Sequence, residues 1–132
     1  MTKIINSNIE EVKIIEPSVF KDTRGYFFES YNQKEFYDKI GKINFIQDNE
    51  SYSFQGTLRG LHFQKKPFDQ SKIVRVIKGE IQDIALDIRE NSSTYLKYVS
   101  IILNDRNKKQ LFIPKGFAHG FLVLSKEAIV SY

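Results

Sequence analysis

The chain holds two histidines, His62 and His119, and no cysteine in its 132 residues. Proton transfer by a side chain that titrates near neutrality must therefore use one of these two imidazoles. His62 lies in GTLRGLHFQ, the stretch from Gly56 to Gln64. In an extended chain, alternation places Gly60, His62 and Gln64 on one face and Arg59, Leu61 and Phe63 on the other. The imidazole then has small and polar neighbours suited to a pocket wall, and Arg59 is expected to point away from it, unless it precedes the strand proper or serves a neighbouring subunit. His119 lies in FIPKGFAHGF, where Pro114-Lys115-Gly116 reads as a turn and His119, Phe121 and Val123 share one strand face. Gly116 and Gly120 leave room there for a ligand or a second backbone. A third stretch, KDTRGYFFES, sets Arg24 beside a glycine and ahead of three aromatics and Glu29. A guanidinium fork with aromatic faces nearby suits a pyrophosphate and a nucleobase, although an edge strand with an ion pair accounts for the same spacing.

Several other chemistries are disfavoured. A catalytic zinc or iron site needs about three protein ligands, and the two histidines stand in separate segments with no His-x-His pair and no thiolate, so no metal is expected. Without cysteine there is no disulfide framework and no sign of an oxidising compartment. The net charge of +4 comes from 20 Lys and Arg against 16 Asp and Glu, scattered with runs no longer than Lys65-Lys66 and Lys108-Lys109. That is not a nucleic-acid footprint, and it suits a small anionic ligand equally well. The opening MTKIINSNIE lacks a long apolar run and no later window approaches the ~18 apolar residues of a membrane span, so a cytoplasmic protein with no membrane partner is expected.

The elements that must position these residues read as mostly β, in one domain spanning 1–132. IVRVIKGEIQDIALDIR, from Ile73 to Arg89, has two β-branched runs around Lys78-Gly79 and predicts a tight hairpin. Its second strand divides into an oily face of Ile84, Leu86 and Ile88 and a partly polar face of Ile81, Asp83, Ala85 and Asp87. Further strands are expected at Glu11 to Glu16, Gly25 to Tyr31, Ile46 to Phe54, Gly60 to Gln64, Tyr98 to Leu103, Gln110 to Ile113 and His119 to Leu124. One short helix is expected, with Asn32 as N-cap, Glu35 at its third position, Phe36 and Ile40 buried, and Gly41 as its stop. Many short strands joined by Gly, Asn, Asp and Pro turns point to an antiparallel sandwich or barrel with a polar-lined pocket.

Taken together, FKDTRGYFFESY, QDNESYSFQGTLRGLHFQ, QSKIVRVIKGEIQDIALDIR, KKQLFIPKGFAHGFLVLS and the closing EAIVSY resemble the dTDP-4-dehydrorhamnose 3,5-epimerase family of nucleotide-sugar enzymes. The match covers most of residues 12 to 132 in order, and RGLHFQ combined with IPKGFAHGF is specific. The resemblance implies an all-β, cupin-like antiparallel jelly-roll barrel and a dTDP-4-keto-6-deoxy-hexose substrate. Protons on C3 and C5, acidified by the neighbouring ketone, are removed and returned from the opposite face through an enolate. It implies His62 as base, Tyr132 as proton donor and Lys72 as the cation beside the enolate oxygen. Substrate contacts are implied at Arg24, Glu29, Gln47, Asp48, Asn49, Arg59 and His119, with the Tyr26 to Phe28 run stacking on the thymine. No cofactor is implied, because the ketone is the electron sink. The partner implied is a second copy, in a homodimer that exchanges N-terminal strands and completes its sites with Arg24 and Glu29.

The family continues for several dozen residues past the equivalent of Tyr132, and that segment brings a second active-site tyrosine and the carboxylate that orients the histidine. By this likeness the domain is shortened at its C-terminus, and Asp83 is the candidate to substitute for the carboxylate. Two further classes share these motifs: a nucleotide-sugar-binding protein without full turnover, and a C3-only epimerase or a compact 3,4-ketoisomerase. RGLHFQ and FAHGF followed by a tyrosine match the 3,5-epimerases more closely.

Overall fold

The computed structural model describes residues 2–132, which form twelve strands and one short helix. Six strands make one antiparallel sheet in the order β1 (Lys3–Asn6), β2 (Lys13–Glu16), β10 (Gln110–Ile113), β7 (Lys72–Lys78), β12 (Glu127–Ser131), β5 (Glu50–Phe54). Four make a second, in the order β6 (Leu58–His62), β11 (Phe117–Val123), β8 (Glu80–Asp87), β9 (Tyr98–Asn104). β3 (Val19–Asp22) and β4 (Gly25–Phe28) pair only with each other. The two large sheets face one another as a jelly-roll sandwich. Their inner faces interleave Val74, Val76, Leu111 and Val130 with Ile81, Leu103, Phe121 and Val123 in one buried cluster. Each such side chain contributes roughly 1.5–3 kcal/mol by leaving water, which is what closes the sheets on each other.

The helix α1 (Gln33–Lys39) forms as its signals predict: the Asn32 side chain accepts from the Glu35 amide at 3.1 Å, and the helix ends at Ile40, one residue before Gly41. Its one fully buried side chain, Phe36, stacks edge-on against Phe45 and Phe112 at 5.3 and 5.4 Å on the outer face of the six-stranded sheet. Ile40 is only half-buried against the same cluster. This packing ties down the 41–49 segment, which carries Gln47, Asp48 and Asn49 to the site.

Several expectations are corrected. The turn at Lys78-Gly79 is present, with φ +90° at Gly79, but β7 and β8 do not pair. The chain crosses there from one sheet to the other, and Gly79 is required because a Cβ would meet the Glu127 carbonyl at 2.2 Å. The partly polar face of β8 is the buried one: Ile81, Asp83, Ala85 and Asp87 have no measurable exposure, while Ile84 and Leu86 are half-exposed. The inner position of Asp87 is tolerated because Arg89, Ser92 and Thr94 all donate to it, which holds its carboxyl well below the usual carboxylate range. The expected Ile46 to Phe54 strand begins only at Glu50, and β1, β3 and β12 were not anticipated. No described helix is long and apolar enough to cross a membrane.

Candidate functional site

β6 ends at His62, β7 begins at Lys72, and β12 runs out to Tyr132, so these three side chains meet at one end of the sandwich. There they line one hollow of about 220 Å³ together with Gln47 and Asn49. His62 reaches it by a route that regular alternation misses. β6 pairs with β11 through His62 opposite His119 and Arg59 opposite Phe121, so Gly60 and Leu61 together face the single residue Gly120. This extra residue is a β-bulge, and it puts Arg59 and His62 on the same, inward face instead of opposite ones. Gly60 is what permits it: its φ is +103°, and a Cβ there would meet the His119 carbonyl at 2.5 Å. The room left by Gly120 is taken by a second backbone, since its Cβ would lie 2.7 Å from the Arg59 carbonyl.

Tyr132 is held by Asn49. The Tyr132 amide donates to the Asn49 carbonyl at 3.0 Å, the Asn49 amide returns the bond at 2.8 Å, and Asn49 Nδ2 adds a third at 3.1 Å. Gln47 Nε2 in turn donates to Asn49 Oδ1 at 3.1 Å. Two of the three residues of the QDN run thus line the hollow, Asn49 holding the Tyr132 backbone and Gln47 bracing Asn49. The third, Asp48, lies in an adjoining cleft of about 420 Å³ that shares Gln47, Asn49, Lys72 and Tyr132 with it. The Lys72 ammonium stands 5.8 Å from the centre of the Tyr132 ring. Burial lowers its proton affinity, and the negative charge of Asp83 opposes that shift.

His119 is 4% exposed and lines neither cleft. Its Nε2 lies 2.6 Å from Asp83 Oδ1, so Asp83 is the partner of His119 and not of His62. The cause is register: Asp83 and Ala85 stand opposite Phe121 and His119 on the same inner face. Burial pushes the Asp83 carboxyl above the usual carboxylate range, with His119 and Lys72 opposing.

Arg59 donates to Ser53 Oγ at 2.8 Å and to the Tyr52 carbonyl at 3.3 Å, beside the hollow rather than on its lining. Arg24 is bonded to Asp22 at 2.6 Å with its side chain 89% exposed at the tip of the β3–β4 arm, and Glu29 lies at the arm's base. Neither lies on the hollow of its own chain. Gln64, expected on the same face as His62, also lines it, and sequence reasoning missed Asp69 and Gln70, which line it too. They sit in an irregular segment with no periodic signal, and Asp69 is the one carboxylate on that lining. Among the described residues no group of three or more His, Cys, Asp or Glu converges as a metal site would require.

A jelly roll whose open end gathers an imidazole, an ammonium and a phenol around one hollow is the frame of an isomerase that moves protons on and off carbon. A sequence profile of the dTDP-4-dehydrorhamnose 3,5-epimerases matches residues 6–132. The chain is 52% identical over 130 residues to the dTDP-4-dehydrorhamnose 3,5-epimerase of Shigella flexneri, covering 98% of this chain and 72% of that one. It is 51% identical over 131 residues to that of Methanothermobacter thermautotrophicus, covering 98% and 70%. Among solved structures it matches the dTDP-6-deoxy-D-glucose-3,5-epimerase of Legionella pneumophila in complex with dTDP-4-keto-L-rhamnose, with a TM-score of 0.96, 48% identity, and coverage of 99% and 70%. The chain belongs to the dTDP-4-dehydrorhamnose 3,5-epimerase family.

Proposed function

We propose that His62 and Tyr132 are the two proton-handling groups with which this epimerase inverts C3 and C5 of a dTDP-4-keto-6-deoxy-hexose. His62 takes the proton from the carbon beside the ketone. The electron pair of that C–H bond moves to the carbonyl oxygen, and the Lys72 ammonium stabilises the enolate that forms. Tyr132 then gives its phenolic proton to the other face of the same carbon, and exchange with solvent through the open cleft restores both groups. Positioned acid–base groups contribute on the order of 10²–10⁴ in rate, and one donor to a developing oxyanion about 10²–10³. The observation that carries this reading is the convergence of His62, Lys72 and Tyr132 on one hollow. In this reading Gln47, Asp48 and Asn49 border the sugar while Arg59 holds the diphosphate.

The β3–β4 arm is the second part of the proposal. It pairs with no other strand, and Phe20, Tyr26 and Phe27 on it are 62%, 57% and 69% exposed. Exposed aromatics at this density mark a docking surface. We assign the arm to a second copy of the chain, whose site its Arg24 and Glu29 complete.

The test is deuterium exchange in D₂O on dTDP-4-keto-6-deoxy-glucose, followed by NMR. Incorporation at both C3 and C5 is expected. Incorporation at C3 alone would make the protein a mono-epimerase, and incorporation at neither would make it a binder of the sugar nucleotide.

A further inference from the structure

The β3–β4 arm has two faces. Its register sets Lys21 opposite Tyr26 and Val19 opposite Phe28 on one, and Phe20 opposite Phe27 on the other. Phe20 and Phe27 are open to solvent, whereas Phe28 is half-buried. A two-stranded ribbon with no third strand is at best marginally stable in water, so its direction must be set from outside the arm. The face of Tyr26 and Phe28 meets the short corner between β9 and β10. There the Lys108 ammonium donates to the Tyr26 hydroxyl at 2.9 Å, and it stands 4.1 Å from the centre of the Tyr26 ring and 5.7 Å from that of Phe28. Two residues on, Gln110 is buried, and its Nε2 donates to the Ser30 carbonyl at the base of the arm at 2.9 Å.

The corner itself is held firmly. Asn104 Oδ1 accepts from the amides of Arg106 and Asn107 at 3.0 and 2.7 Å, and Asn107 Oδ1 accepts from the Lys109 amide at 3.0 Å. Asn104 is buried and donates from Nδ2 to Glu80 Oε2 at 2.9 Å. Lys108 completes the turn at φ +54°, a left-handed backbone that residues with a Cβ seldom adopt. We propose that Lys108 and Gln110 are positioning residues that together form a bracket for the arm. Gln110 fixes where the arm leaves the sheet, and Lys108 fixes its tilt, so that Phe20 and Phe27 meet the second copy and Arg24 and Glu29 arrive at that copy's hollow. Neither bracket residue touches substrate. The inference rests on the assignment of the arm to a second copy, and its test separates the two.

Lys108→Asn is the variant to use, because asparagine tolerates a left-handed backbone and is too short to reach Tyr26. In NMR of the full chain it should shift the Tyr26 ring resonances while leaving the melting midpoint in place. It should raise the KM for dTDP-4-keto-6-deoxy-glucose about tenfold, the worth of one exposed cation–π contact with one hydrogen bond. Deuterium incorporation at saturating substrate should stay within about twofold, the split that marks a loss of binding alone. Lys108→Arg, which keeps the charge and the donors, should restore the KM. Tyr26 resonances that do not move, or a lowered saturated rate at unchanged KM, would overturn the bracket. Co-expression of Lys108→Asn with an excess of His62→Ala then shows whose site the arm serves. In the mixed dimer the hollow of the Lys108→Asn chain receives an intact arm, so its KM should return to that of the unaltered chain. A KM that stays high in the mixture would overturn the aim toward a second copy. If the unaltered chain incorporates no deuterium, the epimerase reading fails, and the bracket is judged by the Tyr26 resonances and by the Kd for dTDP, expected to rise by the same factor.

Discussion

In the proposed mechanism, Lys72 supplies the positive charge that faces the enolate. It is half-buried at the junction of the two clefts, and burial lowers its pKa from the usual 10.5 while Asp83 opposes the change. The ammonium is the form that stabilises an enolate. As pH rises through this lowered pKa the charge is lost, and the rate of deuterium incorporation is expected to fall on the alkaline side before the ordinary lysine range is reached. Lys72→Arg, which stays charged, should remove that limb, and Lys72→Met should cost about 10²-fold at neutral pH, the typical worth of one oxyanion donor. Rate profiles of the three proteins check this. A limb that persists unchanged in the arginine variant would assign it to another group.

At the scale of elements, the bulge in β6 does the positioning. Gly60→Ala would push a methyl group against the His119 carbonyl at 2.5 Å and the Gly120 Cα at 2.8 Å, both backbone atoms, at a φ of +103° that L-residues avoid. Overpacking and the unfavourable backbone together cost about 2–4 kcal/mol, which corresponds to a melting midpoint lower by on the order of 10 °C. His62 should leave the hollow, with loss of deuterium incorporation beyond what the fold loses. A thermal melt and an exchange assay on one sample test both, and unaltered exchange would detach His62 from the bulge.

The same element shows what the sequence could and could not disclose. Helix α1 was legible because Asn32, Glu35 and Gly41 are local signals that act locally. β10 was legible end to end because it is a short, largely apolar run of strong β propensity, buried on both faces. Arg59 was misplaced because period-two reasoning assumes an unbroken ladder, and only the isolated glycine at 60 hinted that the ladder breaks. Lys78-Gly79 looked like a hairpin because a corner between sheets and a hairpin turn ask the same residue types. Asp83 and Asp87 were visible as polar members of one β8 face, but their burial depends on partners 36 residues away in one case and two to seven in the other. His62, Lys72 and Tyr132 were named from the family likeness, and their meeting in one hollow is a property of how β6, β7 and β12 end together.

For the whole molecule, the β3–β4 arm is the feature a single chain leaves unexplained. Its contact with the rest of the protein includes Lys108, whose ammonium lies 4.1 Å from the centre of the Tyr26 ring, while Phe20 and Phe27 face solvent. With the arm seated on a second copy as proposed, the double variant Phe20→Ser, Phe27→Ser is expected to sediment as a monomer where the unaltered chain sediments as a dimer, and to bind dTDP-sugar at least tenfold more weakly. A monomer that binds equally well with and without these rings would remove the arm from the site. The account as a whole stands on a proton leaving one face of the sugar and returning to the other. The most direct measurement is Tyr132→Phe in D₂O, with incorporation and configuration read together by NMR. The account predicts that deuterium still enters at the carbons beside the ketone, through His62, while formation of the inverted sugar falls at least a hundredfold. Inverted product at the wild-type rate from the phenylalanine variant would contradict it.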